Sequence, residues 1–171
     1  MKMTHRSALV AQARLPSPLG AITLAATDAG LAGLWFDEQR HHPGALDAPD
    51  DPRQRWIAQA ADELDAYWHG GRPTRFRVAL DLAGTAFQRG VWRALQDIAA
   101  GCISSYSDVA ARVGAPRAVR AVGAAIGRNP ASVIVPCHRV LGRDGSLTGY
   151  AGGLDRKRAL LELEGAAALS E

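Results

Sequence analysis

The chain has 171 residues, enough for one large domain or two small ones, and its apolar content of 47% fits a packed globule and excludes general disorder. A net charge of +3 and an isoelectric point near 9.2 make it mildly basic, so any nucleic-acid role must rest on where the arginines sit. No apolar run approaches the ~20 residues a membrane span requires, and residues 1–14 carry Lys2, His5 and Arg6 without the apolar centre of a secretory signal, which points to the cytoplasm.

In chain order, residues 19–26 and 31–36 are apolar runs joined by Thr27-Asp28-Ala29-Gly30, a pattern that predicts a β-hairpin. Residues 37–52 lose all periodicity and read as an exposed loop, with the adjacent His41 and His42 solvated rather than metal-bound. Trp56, Ile57, Ala60, Leu64 and Trp68 recur near helical spacing, so a helix is predicted over residues 53–69, ending at Gly70-Gly71. Alternation over residues 76–82 predicts a half-buried strand. Nothing in residues 1–82 carries visible chemistry, and this part reads as an α/β support domain.

A second unit, residues 85–171, opens with Thr85 and Gln88 in capping-box spacing, followed by a stripe of Phe87, Val91, Leu95 and Ile98 that ends at Gly101. Tyr106, Val109, Ala110 and Val113 form a second helical stripe stopped by Gly114, and Ala115-Pro116 restarts a third helix. On that helix Val119, Val122 and Ile126 share one side, while Arg117, Arg120, Ala121, Ala124 and Arg128 share the other. Two helices across a glycine turn, the second with a small and basic face, describe a helix-turn-helix. An ordinary amphipathic helix with solvated arginines has the same spacing. Alanines between arginines favour the first reading, because they let a helix backbone approach a groove closely while the arginines contact phosphates. Asp144-Gly145 predicts a β-hairpin wing, residues 149–153 a glycine-rich loop, and residues 154–163 a last helix before Glu164 and Gly165.

Residues 132–135 form a short β-branched run that reads as a buried strand, stopped by Pro136 because proline has no backbone donor. Cys137 then stands at a strand end, where a thiol either points into a cleft as a nucleophile or packs as a structural cysteine. The only other cysteine is Cys102, no Cys/His metal-ligand spacing surrounds either, and both read as free thiols. A nucleophilic thiol requires a base or a positive field, since free cysteine titrates near ~8.5. His138 is adjacent in sequence, but consecutive side chains in an extended segment diverge, so a bridging water suits a Cys137–His138 pair better than a direct bond.

Pro136-Cys137-His138-Arg139, with its surroundings from Thr85 to Gly165, resembles the active-site signature of the O6-alkylguanine-DNA alkyltransferases, of the stand-alone bacterial type. The resemblance implies a ribonuclease H-like α/β domain followed by a winged helix-turn-helix domain. It implies that Cys137 accepts an alkyl group from O6-alkylguanine in double-stranded DNA, irreversibly and once per molecule, with no cofactor and as a monomer; O4-alkylthymine stays open. In the same resemblance Asn129 is the hinge asparagine, Tyr106 helps rotate the nucleotide out and donates to the guanine ring, and Arg120 takes the place of the extruded base. Val140, Tyr150 and Ala151 match the wall of the guanine pocket, and Glu164 the acid that orients His138. Cys102 departs from the pattern, standing where relatives commonly have glutamate, and Ala151 stands where some have serine. Two rivals remain at this level. A lesion-recognition protein of this type lacks the nucleophile, against which Cys137 argues; a cysteine hydrolase leaves the helix-turn-helix unexplained.

Overall fold

The computed structural model describes residues 7–70 and 75–166; Lys2, His5, Arg6 and Gly71 lie outside them. Three antiparallel strands, β1 (Ala11–Leu15), β2 (Ile22–Ala26) and β3 (Leu31–Phe36), form a sheet in that order. The predicted hairpin is β2–β3, closed by Thr27 N–H donating to Gly30 O at 2.9 Å. Strand β1 was not anticipated. Its buried positions are Ala11 and Ala13, small residues with little strand preference, and pairing with β2 rather than local propensity makes it a strand.

Helix α1 (Arg55–Trp68) lays Ile57, Ala60, Leu64 and Tyr67 against this sheet. Gln54 caps it, its side chain accepting from the backbone of Trp56 and Ile57. The strand expected over residues 76–82 is not formed. Only one bridge, Leu31 to Leu80, joins this segment to β3. The carboxylate of Glu63 takes the backbone N–H groups of Arg77 and Val78 at 2.9 and 3.3 Å, diverting donors that a ladder would need.

Helix α2 (Ala86–Gln96) carries the predicted capping box of Thr85 and Gln88. Phe87, expected on its buried stripe, is 41% exposed. It sits in the first turn, beyond the core, and Trp92 is buried instead, its indole N–H donating to Ala125 O at 2.8 Å. A two-residue strand β4 (Ser104–Ser105) leads into α3 (Tyr106–Arg112), which has a second capping box at Ser105 and Asp108. Gly114, at φ 75°, ends the turn after it. Helix α4 (Val119–Gly127) starts later than expected: Ala118 is its cap, and Pro116 lies in the preceding turn rather than in the first helical turn. Val122, Ala125 and Ile126 of α4 pack into the core with Val91, Leu95 and Val109.

A short 3-10 helix (Cys137–Arg139) and β5 (Val140–Leu141), which pairs in parallel with β4, precede α5 (Leu154–Leu163). No helix among the described residues is long and apolar enough to cross a membrane.

Candidate active site

Residues 131–140 are all buried, yet the expected strand over 132–135 is a tight turn. Only Ala131 bridges to β3, at Leu34, and Ser132 N–H donates to Leu34 O at 3.0 Å. Val135 N–H then turns back to Ala131 O at 2.9 Å, with Val133 at φ 70°. A β-branched residue is strained in this left-handed region, so the surroundings must over-determine the turn. Asn129 does so. Its side-chain oxygen accepts from Ala131 N–H at 2.9 Å, and its NH2 donates to Val135 O at 2.9 Å and to Cys137 Sγ at 3.2 Å.

The thiol of Cys137 therefore leaves a 3-10 helix rather than a strand end, and is only 5% exposed. Burial is the main influence on it and pushes its pKa up; the Asn129 amide and the charge of Lys157 pull the other way. The resting group is a thiol.

The His138 side chain is buried in an ion cluster with Glu164 and Arg139. Its Nε2–H donates to Glu164 Oε1 at 2.7 Å, and Arg139 donates to both carboxylate oxygens, from Nη2 to Oε1 at 2.7 Å and from Nε to Oε2 at 3.0 Å. Tyr67 of α1 adds its hydroxyl to Oε1 at 2.8 Å. Burial alone would raise the Glu164 pKa, but the bonds from His138 and Arg139 outweigh it and bring it down to about 2. An ionised carboxylate only accepts, which puts the His138 proton on Nε2 and leaves Nδ1 as an acceptor. Nδ1 is buried and has no partner among the described residues. Burial pushes the His138 pKa down, against the pull of Glu164, so the ring is held neutral.

The predicted β-hairpin wing is a turn that follows β5 with no returning strand to pair with it. Gly142 N–H donates to Ser146 O at 3.0 Å around Asp144-Gly145, but residues 147–149 then bend inward. The reason is Lys157. Its Nζ donates to the carbonyls of Val140, Thr148 and Gly149 at 2.6, 2.8 and 3.2 Å, while the hydroxyl of Tyr106 donates to Thr148 O at 3.2 Å. Burial lowers the Lys157 pKa to about 8. Burial raises that of Tyr106, which stays a neutral phenol and a donor.

Cys137 opens onto a cavity of roughly 130 Å³ lined by Tyr106, Tyr150 and Ala151, by Gly123, Ile126 and Gly127 of α4, and by Arg40 and His41. The Tyr150 hydroxyl is buried and has no hydrogen-bond partner among the described residues. Val140, a sequence-predicted pocket residue, does not line the cavity; its carbonyl is held by Lys157. Arg120, Ala121, Ala124 and Arg128 lie exposed on α4, and Arg117 exposed just before it. Among the described residues no three His, Cys, Asp or Glu side chains converge as a metal site.

Sequence reasoning missed Lys157, Tyr67, Arg40 and His41 as members of the site. Two of these carried a signal. Lys157, Leu160, Leu161 and Glu164 recur at i, i+3, i+4, i+7, so a lysine and a glutamate share the apolar stripe of α5; Tyr67 likewise continues the stripe of Ile57, Ala60 and Leu64. Arg40 and His41 had none. They reach the cavity because the Arg40 N–H donates to Ala151 O at 2.9 Å, a contact across more than half the chain.

Comparison with known proteins covers both parts of the chain. Residues 11–82 match the 6-O-methylguanine DNA methyltransferase, ribonuclease-like domain, and residues 86–166 match the DNA binding domain of the same family. A methylated-DNA–protein-cysteine methyltransferase of Mycolicibacterium paratuberculosis is 49% identical over 148 residues, 86% of this chain and 88% of that protein. The crystal structure of Mycobacterium tuberculosis OGT in complex with DNA superposes with a TM-score of 0.83 at 47% identity, covering 91% of this chain and 93% of that one. The Mycobacterium tuberculosis O6-methylguanine methyltransferase gives 0.80 at 46% identity, over 94% and 95%. With both halves matched and these relatives spanned nearly end to end, the chain belongs to the 6-O-methylguanine DNA methyltransferase family.

Proposed function

We propose that this protein repairs DNA by transferring the alkyl group of O6-alkylguanine to its own Cys137, once per molecule. The observation that carries the reading is a buried thiol facing a cavity whose wall is the third helix of a helix-turn-helix, with a neutral histidine hydrogen-bonded to an ionised glutamate behind it. The matched relatives, methyltransferases that act through a protein cysteine, support the same reading.

Residues 85–171 bind the duplex and hold the chemistry, and residues 1–82 support them. The exposed face of α4, with Arg117, Arg120 and Arg128 around Ala121 and Ala124, lies along the minor groove, the arginines on phosphates and Arg120 filling the gap left by the extruded base. The flipped guanine enters the cavity between Tyr106 and the 149–151 loop, where Gly149, Tyr150 and Ala151 form its wall. The Cys137 proton passes through a water to His138 Nδ1, the open acceptor, while Glu164 steadies the imidazolium that forms. The thiolate attacks the alkyl carbon in line: an S–C bond forms, the C–O6 bond breaks, and guanine takes the electron pair. Tyr106, a neutral phenol, donates to the ring as that charge develops. Asn129 keeps Sγ aligned. The thioether product has no exit, so the protein acts once, as a monomer, on duplex DNA. No methyl donor beyond the damaged base enters this balance.

Intact-mass analysis after mixing with excess duplex carrying one O6-methylguanine tests this. A gain of one methyl group on Cys137, blocked by Cys137→Ser, is the expected result. Tight binding without a mass change points instead to a recognition protein, and repeated turnover with a regenerated thiol to a hydrolase.

A further inference from the structure

The acid behind His138 is held from both halves of the chain. Glu164 Oε1 takes the Tyr67 hydroxyl at 2.8 Å, from a residue 97 positions away on α1. Tyr67 is itself packed in place, 4% exposed, with its ring edge-on to Trp68 at 5.0 Å and tilted against Phe76 at 5.6 Å. Among the described residues Oε1 thus collects three donors, Tyr67 O–H, His138 Nε2–H and Arg139 Nη2–H, whereas Oε2 has Arg139 Nε alone.

We infer that Tyr67 is a positioning residue for the proton acceptor: by sharing the negative charge on Oε1 it keeps His138 neutral with Nδ1 open, so that the N-terminal half takes part in activating Cys137. The reading rests on the alkyl-transfer function proposed above. The physical argument is one of competition. A carboxylate that a histidine alone neutralises draws that ring toward the imidazolium, and an imidazolium has no free acceptor. Each further donor on the same oxygen weakens that draw. Tyr67 suits this task because burial, with the adjacent Glu164 charge, keeps its hydroxyl protonated, and because an acceptor-only oxygen leaves it no role except donation. The charged groups around His138 are Glu164 and Lys157 from the C-terminal helix and Arg139 beside it in the chain; Tyr67 is the contribution of α1.

The experiment compares the wild type with Tyr67→Phe, which keeps the ring and its packing, and with Leu64→Val, which loosens the same buried face of α1 without touching Glu164. Three readouts are followed against pH: single-turnover transfer from an O6-methylguanine duplex, alkylation of Cys137 by iodoacetamide, and the 15N shifts of the His138 ring. In Tyr67→Phe the acid limb of both rate profiles moves to higher pH by about half a unit to one unit, a loss of about three- to tenfold on that limb, while the alkaline plateau holds within about twofold. The His138 titration moves with it. Wild-type curves in Tyr67→Phe overturn the inference, as does an equal shift in Leu64→Val, which makes the effect one of packing. If the wild type fails to take a methyl group from DNA, the functional reading falls; the iodoacetamide and ring measurements still decide the role of Tyr67.

Discussion

The side-chain amide of Asn129 donates at once to Cys137 Sγ and to Val135 O, at 3.2 and 2.9 Å, so one residue holds both the nucleophile and the turn that carries it. The same side chain accepts from Ala131 N–H, closing a loop in which Val133 adopts a left-handed backbone. Asn129→Ala leaves the buried Ala131 N–H without its partner and takes one of two donors from Val135 O, which keeps the Cys137 N–H at 2.8 Å, at a cost of about 1–3 kcal/mol. The urea midpoint falls accordingly, and transfer from O6-methylguanine DNA falls with it because Sγ loses its alignment. A variant with wild-type stability contradicts this account of the turn.

Lys157 lends positive charge to the thiol and pins the loop over the cavity. Lys157→Met preserves much of the chain length but strips the N–H donor from three carbonyls, of Val140, Thr148 and Gly149. It also removes a charge that pulls the Cys137 pKa down. Both effects act against the thiolate. Iodoacetamide alkylation of Cys137 at neutral pH is expected to slow by about tenfold, with its profile displaced to higher pH. Affinity for undamaged duplex stays unchanged, since the α4 face is untouched. An unaltered alkylation profile means that Lys157 acts only on the loop.

How much of this was legible beforehand follows from the kind of interaction involved. The helices were readable because each repeats a local signal: two capping boxes, at Thr85 and Ser105, and stripes that the core later buries. The second box, at Ser105, was in the sequence and went unread. The strand expected at 132–135 failed because a short β-branched run states only that it is buried: Ser132 N–H still reaches Leu34 O of β3, but beyond it the backbone bonds back on itself and Val135 O goes to the Asn129 side chain. The expected wing hairpin failed similarly, through a lysine later in the chain that claims the carbonyls a second strand would have used. Among site residues, Cys137 and His138 stood out by their own chemistry beside Pro136, and Asn129 and Glu164 came from the resemblance; the folded geometry brings the four together. Arg40 was invisible, because a loop residue positioned by one backbone bond to Ala151 leaves no trace in periodicity or charge.

The exposed face of α4 makes a separable prediction about affinity. Arg117, Arg120 and Arg128 are exposed, and Ala121 and Ala124 lie between them. Replacing one phosphate-contacting arginine by alanine lowers affinity for all sequences and reduces the slope of log K against log salt by about 1. Ala121→Glu or Ala124→Glu adds bulk and a like charge to the DNA, weakening binding by more than about tenfold with little change in melting temperature. Arg158→Ala, exposed on α5, serves as the control. Equal effects at Arg158 and on α4 would remove the case for α4 as the groove-facing helix.

Glu164 sets the acid stability of the fold. Its pKa lies near 2, well below the ordinary 4.5, because His138 and Arg139 bind the ionised form more strongly than burial penalises it. A depressed carboxylate contributes stability above its unfolded pKa and loses it as pH falls through the folded one. The window is therefore from about 4.5 down to about 2, and the displacement corresponds to something on the order of 3 kcal/mol. Glu164→Gln removes that dependence. At neutral pH the variant leaves the buried Arg139 guanidinium without its counter-charge and is less stable than the wild type by several kcal/mol, about 3–5 by analogy with broken buried pairs. As pH falls the wild type loses its advantage, and the two urea midpoints converge. Parallel curves across this window would show that Glu164 is not the ionised centre of the cluster, and the assignment of the His138 proton to Nε2 would fall with it.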